Sequence, residues 1–260
     1  MNTIETPTLE TTVGDLVARR PSRSRVFEKL GIDYCCGGKK TLAQACAEKA
    51  IDAGTVLTIL LAVEDAAPAA DRDWTNATLS ELADHIVETH HAHLKRELPR
   101  LAAISRRVAI VHGEHYPWVR EFESVYMRFA TDMQAHMMKE EQVLFPLIQS
   151  LERGEPASNG ACGHGVGSPI RVMEDEHDDA AACFARMREL SSEFTPPPDA
   201  CNTFRAMLDG VRELESDTHR HVHLENSILF PKAVGLEDGS GAATVKSPCC
   251  HHDAAVLPTG

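Results

Sequence analysis

Two stretches of this chain share one pattern: His136-Met-Met-Lys-Glu140-Glu-Gln-Val-Leu144-Phe-Pro146 and His221-Val-His-Leu-Glu225-Asn-Ser-Ile-Leu229-Phe-Pro231, 85 residues apart. Each reads H-x-x-x-E-x-x-[VI]-L-F-P. A His and a Glu four residues apart on a helix share a face, one turn above the other. A duplicated pair of this kind is a donor set for two metal ions, with an imidazole nitrogen for each ion and carboxylate oxygens to bridge them. The spacing also selects among neighbours. Glu141 stands five positions from His136, about 140° around a helix of 3.6 residues per turn. His219 and His223 stand six and two positions before Glu225, off its face. The Pro that ends each stretch fits the closing end of its helix.

Such pairs need long helices to face one another, and the chain supplies four. Thr78-Leu-Ser-Glu81 reads as a capping box opening the first, whose stripe runs Val87, His91, Leu94, Leu98, Leu101. Alternating steps of four and three make this the seam of a bundle helix, with Pro99 expected to kink it. The second runs from about Pro117 to Leu151, with Val125, Phe129, Met133, His136, Glu140, Val143 and Leu147 inward. Ser168-Pro169 suits the cap and first position of the third, which presents Ile170, Met173, His177, Ala180, Phe184 and Met187. The fourth turns Phe204, Met207, Val211, Leu214, Thr218, His221, Glu225 and Ile228 inward. Within each hairpin the two His lie 45 and 44 residues apart, room for half a helix, a turn and half a helix. The fold class is therefore all-α.

One His on an apolar seam is more often a satisfied core residue than a ligand. Four, one per helix, with two Glu at matched offsets, are another matter: burying them unpaired costs several kcal/mol per group. The candidate metal ligands are His91, His136, Glu140, His177, His221 and Glu225. With no thiolate in the set, an iron–sulfur cluster or closed zinc site is disfavoured. Nitrogen and carboxylate donors with open positions point to non-haem iron, with manganese second. Asp132, one turn before His136, reads equally as a polar lining residue or as a solvated one.

Ahead of the bundle lies a smaller helical segment. Thr12 and Thr41 open short helices, another spans about Ser22–Leu30, and a last runs from about Asp52 to Asp65. Between them stands Gly31-Ile-Asp-Tyr-Cys35-Cys36-Gly37-Gly38, whose glycines permit a tight turn. Cys35 and Cys36 read either as a thiol pair that handles iron, NO or electrons, or as thiols that pack in a turn; adjacent cysteines do not bridge each other without strain. The expected domains are 1–65, a linker at 66–77 marked by AAPAADRD, the bundle at 78–234 and a disordered tail at 235–260. Cys162 with His164, and Cys249-Cys-His-His252 in the tail, read as adventitious metal binders on loops.

The net charge of −13 argues against nucleic acid or an anionic membrane as partner, since both need a basic surface. No apolar run approaches the roughly 20 residues of a membrane-spanning helix. The opening MNTIETPTLETTVGDL lacks a basic end and an apolar stretch, so a cytoplasmic location is the expectation, and eight Cys are then expected to be reduced.

Asp33-Tyr-Cys-Cys-Gly-Gly, the HMMKEE stretch at 136–141, MEDEHD at 173–178 and the LEN–LFP stretch at 224–231 occur in an order that resembles the di-iron iron–sulfur cluster repair proteins. That is the RIC, or YtfE/ScdA/DnrN, family, which includes NorA-type NO-responsive proteins. The resemblance covers about residues 10–234. It implies a hemerythrin-like four-helix bundle behind a small ScdA-type N-terminal domain. It implies two iron ions per chain, oxo-bridged (Fe–O–Fe), on the six ligands named above, with Glu140 and Glu225 bridging. Glu176 matches a position that lines a polar route to the centre, and Cys35 and Cys36 match the family's thiol pair. The implied role is repair of iron–sulfur clusters damaged by nitrosative or oxidative stress, with NO or another small diatomic molecule and damaged cluster proteins as partners. The chain would act as monomer or homodimer, with no classical catalytic residues. The alternatives are an NO-buffering or sensing protein and an NO-reducing di-iron enzyme.

Overall fold

A computed structural model describes residues 6–64, 73–155 and 165–240. Cys162, His164, Cys249–His252 and most of the AAPAADRD linker lie outside the described residues. Every regular element among the described residues is helical, and no helix there is long and apolar enough to cross a membrane.

The leading segment folds as α1 (Val13–Arg19), α2 (Ser24–Leu30), α3 (Leu42–Glu48) and α4 (Ala53–Glu64). Thr12 caps α1 by accepting from the Asp15 N–H, and Thr41 and Gln44 form a full capping box on α3. Gly31 ends α2 at φ 64°, a left-handed position that glycine occupies without a Cβ clash. Val13, Leu16, Phe27, Tyr34, Leu42, Cys46 and Leu60 form a core of their own.

Four long helices follow. The first joins α5 (Leu79–His85), a π-helical turn (Ile86–His91) and α6 (Ala92–His112). The second joins α7 (Trp118–Lys139), a π turn (Glu140–Leu144) and α8 (Phe145–Glu152). The third is α9 (Gly167–Leu190). The fourth joins α10 (Asn202–Leu224), a π turn (Glu225–Leu229) and α11 (Phe230–Ser240). α6 packs on α7 and α10, and α7 on α9. The expected capping box at Thr78–Glu81 is present on both sides, and α6 runs on through Pro99.

Four expectations are corrected. Pro146 and Pro231 do not close their helices: each follows a π turn in which Phe145 donates to Glu140 O, and Phe230 to Glu225 O, five residues back. The extra residue in the turn changes the phase beyond it, so Val143 is 58% exposed while Leu144, Phe145 and Ile148 are buried. Leu147 is only partly buried. The third helix begins at Gly167, before Ser168-Pro169, and the Val166 N–H ahead of it is capped by Glu237 of α11 at 3.0 Å. That contact belongs to a helix that extends to Ser240, through residues expected to be disordered. The part of the linker that is described, Trp74–Asn76, forms a 3-10 turn whose indole stacks on His85 at 4.0 Å.

The bundle core is divided. Leu94, Leu98, Phe122, Phe129, Met133, Phe184, Met207 and Leu214 belong to one apolar cluster. Leu82, Ile86, Leu144, Ile148, Met173, Ile228 and Phe230 belong to the other. Between Ile86 and Leu94, Met133 and Leu144, Met173 and Ala180, and Leu214 and Ile228 lies a layer of buried polar residues. All six predicted ligands are in it.

Candidate metal centre

His91, His136, His177 and His221 are each at most 2% exposed, and Glu140 and Glu225 are fully buried. Their donor atoms form two sets: His91, Glu140, His221 and Glu225, and His136, Glu140, His177 and Glu225, with the atoms of each set within 4.8 Å of one another. Both carboxylates belong to both sets, the arrangement expected of bridging groups. Glu140 Oε2 lies 3.3 Å from His91 Nε2 and 3.2 Å from His136 Nε2. Glu225 lies 2.9 Å from His221 Nε2 through Oε1 and 3.1 Å from His177 Nε2 through Oε2.

The outer faces of the imidazoles fix which nitrogen looks inward. His91 Nδ1 meets Glu141 Oε1 at 2.7 Å, His136 Nδ1 meets Glu176 Oε2 at 2.9 Å, and His177 Nδ1 meets Asn226 Oδ1 at 3.1 Å. An acceptor at Nδ1 holds the proton there and leaves the lone pair on Nε2. Yet Nε2 of His91 faces Nε2 of His221 at 3.2 Å, and Nε2 of His136 faces Nε2 of His177 at 3.2 Å. Where both lone pairs face inward, as for His136 and His177, nitrogens at this distance need a proton or a metal ion between them. Both Glu140 oxygens, Glu225 Oε2 and His221 Nδ1 are also buried without a hydrogen bond, a state that costs several kcal/mol per charged group unless a cation satisfies it. The residues present thus fit a pair of metal ions. Burial alone would lower the His136 pKa, but the Glu140, Glu225 and Glu176 carboxylates together outweigh it and raise the pKa to about 9.

Spacing sets Glu141 aside as a ligand in favour of Glu140, because it lies off the His136 face. It is off that face, but it points to the neighbouring helix, where it orients His91. Lys95 holds it at 2.6 and 2.7 Å. Glu176 plays the same part for His136 and is held by Lys139. Each outer carboxylate thus carries a Lys of its own. Helix-face spacing cannot reveal this, because the partners sit on different helices. The faint signal is a second acid next to each ligand, Glu141 after Glu140 and Glu176 before His177. Asp132 lines a cavity of about 270 Å³ with His136, Lys139, Glu176 and Cys183. His223 is buried with Nδ1 3.3 Å from the Tyr34 carbonyl, so it tethers the leading segment rather than the site.

Cys35 and Cys36 lie in the turn after α2 and are free thiols. Asp33 pins the turn: its Oδ1 accepts from Cys35 N (2.9 Å) and Cys36 N (3.0 Å), and its Oδ2 from Gly37 N (2.9 Å). The turn presses against the π turn that carries Glu225. A Cβ on Gly38 would come 3.1 Å from Ser227 Oγ, and one on Gly14 2.8 Å from it. A cavity of about 410 Å³ there is bordered by Cys35, Cys36, Lys39, Glu174, Asn226 and Ser227.

Residues 9–64 match a domain of unknown function, DUF542 (ScdA_N), and residues 61–233 match the hemerythrin HHE cation-binding domain. Proteins named iron–sulfur cluster repair protein YtfE from Escherichia coli O81 (strain ED1a), Citrobacter koseri and Escherichia fergusonii are each 36% identical to it over 225 residues. That alignment spans 86% of this chain and 97% of each relative. The chain belongs to this family. The resemblance read from the motifs is thereby borne out, as is the all-α hemerythrin-like bundle. The matched domain is a cation-binding one, and the buried His/Glu sets are where this chain has the donors for it.

Proposed function

We propose that the chain repairs iron–sulfur clusters damaged by nitrosative or oxidative stress, through a centre of two oxo-bridged iron ions. His91 and His221 would hold one ion, His136 and His177 the other, and Glu140 and Glu225 would bridge them. The observation that carries the reading is the sharing of both buried carboxylates between two His pairs whose Nε2 atoms converge. When bound, iron supplies a labile, redox-active centre with open positions for a diatomic ligand such as NO. The protein's own share is to fix the imidazole tautomers through Glu141, Glu176 and Asn226, and to keep the layer dry between two apolar clusters. The names of the relatives support repair as the outcome, with damaged cluster proteins as partners. The leading segment, with its own core and thiol pair, is proposed as a separate domain in the same task, and the cytoplasm as its place.

The test is anaerobic transfer. Purified chain should carry about two iron per monomer and restore activity to a cluster enzyme inactivated by NO, whereas Glu140→Ala and Glu225→Ala should carry little iron and restore nothing. A chain that binds NO tightly yet restores no cluster enzyme would replace repair with NO buffering.

A further inference from the structure

The two adjacent thiols are not equivalent. Cys35 is 5% exposed and its Sγ donates to Asp33 Oδ1 at 3.1 Å. The carboxylate that receives it is immobilised by three backbone N–H groups. Hydrogen bonding with Cys36, then burial, then the Asp33 charge all push the Cys35 thiol well above its ordinary value. Cys36 is half-buried, with its sulfur in hydrogen-bonding reach of the Cys35 thiol. Both residues border the cavity of about 410 Å³ whose rim carries Lys39 and Glu174, and Cys36 is the more exposed of the two. The turn is also closely packed. Gly38 lies where a Cβ would come 2.9 Å from the Tyr34 carbonyl and 3.1 Å from Ser227 Oγ, so the backbone beside the pair sits tight against the fourth helix. An adjacent-cysteine disulfide needs a distorted peptide geometry, which this packing resists.

We propose that the pair works as a single thiol rather than as a dithiol–disulfide couple: Cys36 is the reactive site, open to small thiophilic reagents, and Cys35 is a buried hydrogen-bond donor that holds the turn. This deepens the part in repair proposed for the pair, and rests on it. With a small disulfide the step is an exchange. The Cys36 sulfur, its proton lost to solvent, attacks one sulfur of the reagent, a mixed disulfide forms, and the other half leaves as thiolate. Cys35 does not follow with a second attack, so the mixed disulfide persists until an external thiol removes it.

The experiment treats the full, iron-loaded chain with excess oxidised glutathione and reads each cysteine by peptide mass spectrometry. The expected result is a glutathione adduct on Cys36 at least tenfold ahead of Cys35, with no Cys35–Cys36 disulfide. Cys35→Ser, which keeps a donor to Asp33, should leave the Cys36 rate within about twofold, and Cys36→Ser should remove the adduct from the pair. An adduct on Cys35, equal rates at both, or a product two hydrogens lighter with the two sulfurs joined would overturn the proposal. Complementation separates it from the repair reading. Loss of cluster recovery with Cys36→Ser but not Cys35→Ser supports both. Equal loss with the two variants overturns the division of roles. Full recovery with both, alongside an adduct on Cys36 alone, removes the pair from repair and leaves the chemical assignment standing.

Discussion

Glu141→Ala is the substitution that separates a positioning role from a bystander's. The Glu141 carboxylate accepts from His91 Nδ1 at 2.7 Å and from Lys95 Nζ at 2.6 Å. Partial burial would raise its pKa, but the Lys95 and His91 hydrogen bonds hold it below the ordinary carboxylate value, so it meets His91 as an anion. Removing it frees the imidazole to rotate and to place its proton on Nε2, the atom 3.3 Å from Glu140. Loss of such an outer partner weakens a metal site by about 10–100-fold, or about 1.4–2.8 kcal/mol at about 1.4 kcal/mol per decade. Glu141→Gln keeps an acceptor and loses the charge, so it should fall between Ala and the parent. The assay is iron retention against a graded chelator, with Glu48→Ala, an exposed acid of α3, as control. Iron should leave the His91–His221 position first, so Glu141→Ala should pass through about one iron per chain while the control still holds two. Retention indistinguishable from the parent would mean that the 2.7 Å contact does not set the tautomer of His91, and the outer-carboxylate reasoning would fail for Glu176 as well.

Three further outcomes are expected. In the metal-free chain burial lowers the His136 pKa, but the Glu140, Glu225 and Glu176 carboxylates together raise it to about 9, so below that pH the ring holds a proton that iron must displace. Apparent iron affinity should therefore rise with pH, about tenfold per unit for each proton displaced, and calorimetry in buffers of different ionisation enthalpy should detect the release. Phe129, 1% exposed and packed on Phe184 at 4.5 Å, anchors the apolar cluster on one side of the site. Phe129→Ala should cost about 3–5 kcal/mol in denaturant unfolding; a change below about 1 kcal/mol would place the core elsewhere. A chain beginning at Asp73 should fold and keep its iron, because the six donors and both bundle clusters are almost wholly outside the leading segment; an unfolded or metal-free product would make that segment part of the bundle.

Much of the buried His/Glu layer was legible because candidate ligands on one helix obey helix spacing. His136 with Glu140 and His221 with Glu225 are four apart, and His91 and His177 sit in phase with their apolar neighbours. What spacing could not reach lies between helices. Glu141, Asn226 and Lys95 act on residues 50, 49 and 46 positions away in sequence, and nothing local to each distinguishes it from a solvated polar residue. His223 is similar: its partner is a backbone carbonyl 189 positions away.

The phase error after Glu140 has a different origin, and its signal was present. In the second helix His136, Glu140, Leu144 and Ile148 are all buried, and in the fourth so are His221, Glu225, Leu229 and Ala233. Each is a run of three successive steps of four. A regular helix of 3.6 residues per turn overshoots by about 40° at each such step, so three steps would carry the last residue about 120° from the first and out of the core. One extra residue in the turn absorbs about 100° of that. The π turns at Glu140–Leu144 and Glu225–Leu229 are what allow a buried carboxylate and the apolar layer beyond it to face the same way. Such turns concentrate at functional sites because a buried carboxylate constrains its helix as strongly as a core Leu does, and the two demands rarely agree in phase. The Pro after each turn follows from the same geometry. It takes the first turn of the resumed helix, where a missing N–H costs little, and so H-x-x-x-E-x-x-[VI]-L-F-P marks a turn within a helix rather than its end.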